Sequence, residues 1–175
     1  MVLLTPVADL PTISAIEILP SATPPAAFTP IRVNAGGGAF TDAQGAVWSA
    51  DNGFSGGTSY STSSPIAGTT TPALYQTEHY SNGPFQYQVS VPNGSYTVNL
   101  KFAEIFFTSP GNRIFNVAVN GATVLSNFDP AQAAGAFTAV DRQFPVTVSG
   151  GQILILFSPV ADLPTISAIE ILAAP

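Results

Sequence analysis

Cysteine is missing from all 175 residues, charge is scarce, and histidine, methionine and tryptophan occur once each. Without cysteine there are no disulfides and no thiolate metal sites, which suits an extracellular protein that avoids thiol chemistry. Only 8% of residues are charged, against about a quarter in an ordinary globular domain. The net charge of -6 leaves Arg32, Lys101, Arg113 and Arg142 as the whole basic complement. Four scattered cations make no basic face, so nucleic acid and anionic membrane are poor partners. No apolar run approaches the about eighteen residues of a membrane span, and no basic stretch followed by an apolar one marks a signal peptide. The chain therefore reads as a piece of a larger secreted protein, found outside the cell or on its surface. The single histidine, His79, has no serine or carboxylate pattern of a catalytic triad around it and is expected on the surface of a strand.

What is present is apolar and turn-rich. Hydrophobic residues make up 46% of the chain, enough to fill one core at this length. Short runs alternate with clusters of Gly, Pro, Ser and Asn, and no segment keeps a 3.6-residue apolar period. Strands are predicted near Ile31–Asn34, Leu74–Tyr80, Phe85–Val91, Ser95–Glu104, Arg113–Val119, Thr123–Asn127, Thr138–Phe144, Gln152–Phe157 and Ile166–Leu172. Pro92-Asn93-Gly94, Asn120-Gly121 and Ser149-Gly150-Gly151 supply the turns between them. The fold class that follows is all-β, an antiparallel β-sandwich of jelly-roll type with few or no helices.

The chain also repeats itself. The fourteen residues Pro6–Leu19 recur unchanged as Pro159–Leu172, and upstream Val2, Leu3, Leu4 and Thr5 align with Ile155, Leu156, Phe157 and Ser158. Identity beside conservative drift is the signature of neighbouring repeats in a tandem array; an engineered duplication is the alternative. Residues 1–20 are accordingly expected to be a second copy of the terminal strand, the tail of a preceding repeat. Residues 21–30 form a Pro/Ala/Thr linker and 31–172 the sandwich itself.

Several separated stretches resemble the malectin family. They are Leu74-Tyr75-Gln76-Thr77-Glu78-His79-Tyr80, the run from Tyr96 to Phe107, and the run from Arg113 to Gly121. Ile31–Gly38 and Trp48-Ser49-Ala50-Asp51 are similar to the family's opening, and Ile166–Ile171 to its closing strand. The resemblance implies a sandwich that binds neutral oligosaccharide or cell-surface glycan through aromatic side chains and a carboxylate at its loop end, without a cofactor. Carried over position by position, the contact residues are Tyr60, Tyr80, Phe106, Phe107 and Asp162. Sugar rings present flat C–H faces to aromatic rings, and a carboxylate accepts hydroxyl hydrogen bonds. Phe106 departs from the family, which commonly has tyrosine there.

Each of these residues also has an ordinary structural role open to it. If the strand continued through Phe106 and Phe107 the two rings would point to opposite faces, so Phe107 is expected to be at least half buried. Asp162 lies between two prolines, where an aspartate often braces a turn. Glu78 and Glu104 could be drawn as a glycosidase pair, but nothing in the sequence brings them together, and no enzyme is expected. Asp42, Asp51 and Asp129 show no spaced calcium-loop pattern, and no metal is expected. Gly36-Gly37-Gly38 lacks the Lys-Ser/Thr of a phosphate loop and reads as a close-packed turn. Two functions result: a non-catalytic sugar-binding module, or a structural tandem-repeat subunit of a stalk or filament that self-associates by β-strand addition through Pro6–Leu19.

Overall fold

A computed structural model describes residues 28–174 of the chain; the duplicated segment Pro6–Leu19 lies outside the described residues. Fourteen strands are β1 (Ile31–Asn34), β2 (Phe40–Thr41), β3 (Val47–Trp48), β4 (Phe54–Ser55), β5 (Thr58–Ser61), β6 (Thr77–Tyr80), β7 (Phe85–Ser90), β8 (Gly94–Phe102), β9 (Ile114–Val119), β10 (Ala122–Phe128), β11 (Val140–Val148), β12 (Gln152–Ala161), β13 (Thr165–Ile166) and β14 (Ala168–Ala173). Two sheets form the sandwich, in the orders β1-β14-β8-β11 and β10-β9-β12-β7-β4. A three-stranded sheet, β13-β6-β5, and the ribbon β2-β3 lie beside them. Every ladder between these strands is antiparallel, as the sequence predicts.

Strict alternation makes the core. Tyr96, Val98, Leu100 and Phe102 of β8 face Ile153, Ile155 and Phe157 of β12 and Phe115, Val117 and Val119 of β9 across the sandwich, all buried. Phe85 and Phe157 stack at 4.6 Å with their rings nearly parallel. The terminal strand β14 is central to its sheet, between β1 and β8, with Ile169 and Ile171 buried on its inner face. A smaller core, around Trp48, Leu74, Tyr75 and Ile105, fills the space under the long connection between β5 and β6.

The turn chemistry is visible in the backbone. Asn120 and Gly121 both have positive φ, at 47° and 83°, the two-residue hairpin that joins β9 to β10. Gly36, at φ 70°, packs so closely that a Cβ would lie 2.1 Å from the Glu78 carbonyl oxygen. At Gly37 a Cβ would lie 2.2 Å from the Asn34 side chain, while Gly38 stands in open space, so the close-packed turn expected of the triplet is made by its first two residues.

Three boundaries differ from the sequence reading. The predicted strand Leu74–Tyr80 begins as a 3-10 turn, Pro72–Tyr75, because proline favours the first turn of a helix and cannot donate to a ladder. A short helix, Pro130–Ala134, starts where Asp129 caps it by accepting the backbone N–H of Gln132. Between Ala35 and Pro72 the short strands β2 to β5 escape a pattern search because four of their pairing segments span two to four residues each.

Candidate functional site

Strand β6 carries the loop-end site. Alternation sends Glu78 and Tyr80 to one face and His79 to the other. Register places Tyr60 of β5 opposite Glu78, so Tyr60, Glu78 and Tyr80 share that face. The turn between β12 and β13 adds Asp162 and Leu163, and the segment after β8 adds Phe106 and Phe107. Together with Arg113 they line a cleft of about 250 Å³. All five residues carried over from the resemblance therefore meet in one place.

Phe106 is 60% exposed and Tyr60 37% exposed, with their ring centroids 5.8 Å apart and edge to face. Phe107 stands at 86° to Phe106, 5.0 Å away, and is partly buried as expected. The reason is different from simple strand alternation: β8 ends at Phe102, and Phe106 and Phe107 lie in a turn. Tyr80 is partly buried and Asp162 exposed. Asp162 has φ 55°, a left-handed conformation that aspartate tolerates better than most residues.

What holds that turn was not legible in the sequence. Glu104 is fully buried, and its Oε1 accepts the backbone N–H groups of both Phe106 and Phe107 at 2.9 Å. Its Oε2 accepts Nε–H of Arg113 at 2.7 Å. The same guanidinium donates from Nη1 to the Leu163 carbonyl at 2.6 Å, lies 3.8 Å from Glu78, and covers the Phe107 ring at 5.5 Å. One buried cation thus ties the aromatic turn, β6 and the Asp162 turn into a single unit. Glu78 also accepts the Thr165 hydroxyl at 2.7 Å. The two glutamates do come together, but across Arg113, and the oxygens of Glu104 are committed to holding backbone and guanidinium.

Burial pushes the Glu78 carboxyl up from 4.5 to about 7, with Arg113 and the Thr165 hydroxyl pulling partway back. A pKa raised on folding means that the native state holds the proton more tightly than the unfolded chain. The stability this gives is complete below about pH 4.5 and is lost as pH rises through about 7. Glu78→Gln is expected to flatten thermal stability across that interval, which melting curves at several pH values would read. Parallel curves for the two proteins would assign the slope to another group.

His79 corrects its expected place on the surface. The side chain packs against the rings of Phe54, Phe85 and Tyr87 and is buried, 1% exposed. Its ring nitrogens face the Asp51 carboxylate and the Gly56 carbonyl, each at 2.8 Å, and Asp51 also accepts the Tyr87 hydroxyl at 2.7 Å. Asp42 accepts the Trp48 indole N–H at 3.0 Å, and Asp129 takes the Gly111 N–H besides capping its helix. These three aspartates are occupied in bracing loops. Among the described residues, no three His, Asp or Glu side chains group as metal ligands, and no helix is long and apolar enough to cross a membrane.

The class the geometry defines is an all-β sandwich with exposed rings around a cleft at its loop end. The chain belongs to the malectin domain family, whose model matches residues 29–169. Mouse malectin is 36% identical over 129 residues, 70% of this chain and 44% of that protein. The receptor-like protein kinase FERONIA of Arabidopsis thaliana is 30% identical over 141 residues, 74% of this chain and 16% of that one. The chain spans less than half the length of these curated relatives. Among solved structures, the plant receptor-like kinase FER superposes with TM-score 0.73 at 25% identity, over 84% of this chain and 42% of that one. A β-glucuronidase from Bacteroides uniformis shares the fold alone, with TM-score 0.75 at 22% identity over 84% of this chain and 18% of the enzyme.

Proposed function

We propose that the domain is a non-catalytic, extracellular or cell-surface module that binds neutral oligosaccharide at the cleft of Tyr60, Tyr80, Phe106, Phe107 and Asp162. The carrying observation is the exposure of Phe106, 60%, the largest of any phenylalanine among the described residues, with Phe54 next at 44%. A large apolar ring is kept in water at a cleft rim, and a sugar face would cover it. Asp162 lines the same cleft with an exposed carboxylate that would accept hydroxyl hydrogen bonds. The polar floor supplied by Arg113 and Glu78 would orient the ligand.

The replacement Phe106→Ala is expected to leave the melting temperature unchanged and to weaken sugar binding about tenfold or more, the value of covering one aromatic ring. Calorimetry against a glycan panel reads both wild type and variant. Absence of binding to every neutral oligosaccharide at millimolar concentration would sink the reading.

A second reading, strand exchange in a tandem array, is favoured by one pairing of facts. Pro6–Leu19 and Pro159–Leu172 are identical, and the slot taken by the latter's strand, between β1 and β8, is central and buried. Two copies of one strand in a chain compete for such a slot. The two readings are compatible, because β14 ends beside Tyr96 at the far end of β8 from the cleft.

A further inference from the structure

The outer face of the four-stranded sheet is not a flat wall. It is the floor of a trough of about 790 Å³, walled by Thr69, Thr70 and Thr71 on one side and by the Asp42–Trp48 loop on the other. That volume lies in the usual range of small-molecule sites, about 300 to 1,000 Å³. The trough shares no residue with the aromatic cleft.

Its chemistry is out of proportion to the chain. Only fourteen residues are charged, four basic and ten acidic, yet Arg32, Asp42, Lys101, Asp141 and Glu170 all line this one concavity. They are arranged as fixed pairs. Arg32 donates Nε–H to Glu170 at 2.7 Å, and Lys101 donates to Asp141, which also accepts the Tyr75 hydroxyl at 2.6 Å. Asn99, on the same face of β8 as Lys101, donates to Glu170 while its own Oδ1, in a side chain only 5% exposed, has no hydrogen-bond partner. The paired side chains are 12 to 38% exposed, and ion pairs that keep such contact with water contribute only modestly to stability, so stability alone does not account for gathering scarce charges here. Prefixed donors and acceptors lower the cost of ordering when a polar ligand arrives.

We propose that this trough is a second binding site for a neutral, polyhydroxylated chain, recognised through hydrogen bonds rather than ring stacking. Its aromatic residues, Trp48 and Tyr75, are buried, so the trough offers no exposed platform of the kind the cleft has. Cations and carboxylates alternate, which disfavours an anionic ligand and matches vicinal hydroxyls that both donate and accept. The inference rests on the sugar-binding reading of the domain but not on the cleft itself.

The test is an NMR titration of the full chain with cellohexaose, xylohexaose and laminarihexaose, following backbone amides at both places, in wild type, Phe106→Ala and Lys101→Gln. With at least one sugar, amides of Lys101, Asp141 and Glu170 are expected to shift, and to do so undiminished in Phe106→Ala. Lys101→Gln is expected to weaken that response about tenfold, the scale of one charged hydrogen bond, and to leave the cleft response intact; Gln44→Ala, at the exposed rim, serves if Lys101→Gln melts early. Cleft shifts without trough shifts would overturn the trough and leave the cleft reading standing. Trough shifts alone would do the reverse, and no shift at either place at millimolar sugar would overturn both.

Discussion

Arg113→Ala is expected to destabilise the domain by about 3 to 5 kcal/mol at neutral pH, the range for removing one partner of a buried ion pair. The guanidinium is 4% exposed and lies between Glu104, fully buried, and Glu78, 2% exposed. Alanine would leave two carboxylates facing one another in a dry interior, without the fork that satisfies them. Glu78 is already held above its ordinary range by burial, and removing its nearest cation would raise it further. Glu78 would then hold its proton still more tightly in the folded state, so the penalty should shrink as pH falls towards the ordinary carboxylate range and grow above neutrality. In a domain of this size such a loss lowers Tm by roughly 6 to 20 °C. Arg113→Lys keeps the charge without the planar fork and should fall between the two. A loss below about 1 kcal/mol at pH 7 would mean that the triad does not organise the loop end.

The same triad explains why the sugar-contact residues were easier to find than the structure that positions them. Tyr80, Phe106 and Phe107 lie within stretches that resemble the family, and Tyr60 and Asp162 follow from their positions relative to those stretches. Glu104 and Arg113 act through partners set by tertiary geometry. Nothing in the run that follows β8 says that its glutamate folds back on two backbone N–H groups, and that hydrogen-bonded turn is what ends the strand before Phe106. The sandwich strands were readable because Tyr96–Phe102, Ile153–Phe157 and Phe115–Val119 alternate over two full sheets. His79 was misplaced for the complementary reason. Four residues of strand give the period but not which face is covered, and here the face that carries His79 packs against Phe54, Phe85 and Tyr87. Between Gly36 and Gly68, pairings of two to four residues carry no period at all.

Removing Ala168–Pro175 together with residues 1–20 is expected to abolish folding. The strand lost is central: β1 has no other ladder, only a single bridge from Val33 to Ser49, and β8 would lose one of its two neighbours. Ile169 and Ile171, both fully buried, would be missing from the core, and each is worth about 1.5 to 3 kcal/mol by burial. Together with the ladder hydrogen bonds, this approaches the whole stability of an ordinary domain, about 5 to 15 kcal/mol. A chain cut only after Ser167 retains Pro6–Leu19, which has the same side chains in the same order. In the observed register Ile31 lies opposite Ile171, so Ile18 would meet Ile31 in an antiparallel hairpin closed by residues 19–30. Closing a connection of that length costs little more than closing a shorter one. The cut chain that keeps its first twenty residues is therefore expected to fold as a monomer, with dispersed amide resonances and a cooperative melt. The full chain, holding two copies of the sequence that fills one slot, is expected to exchange strands between copies and to gain mass in light scattering as concentration rises. A cut chain that stays unfolded despite its first twenty residues would show that the repeated strand is not interchangeable, and strand exchange as a route to assembly would fall with it.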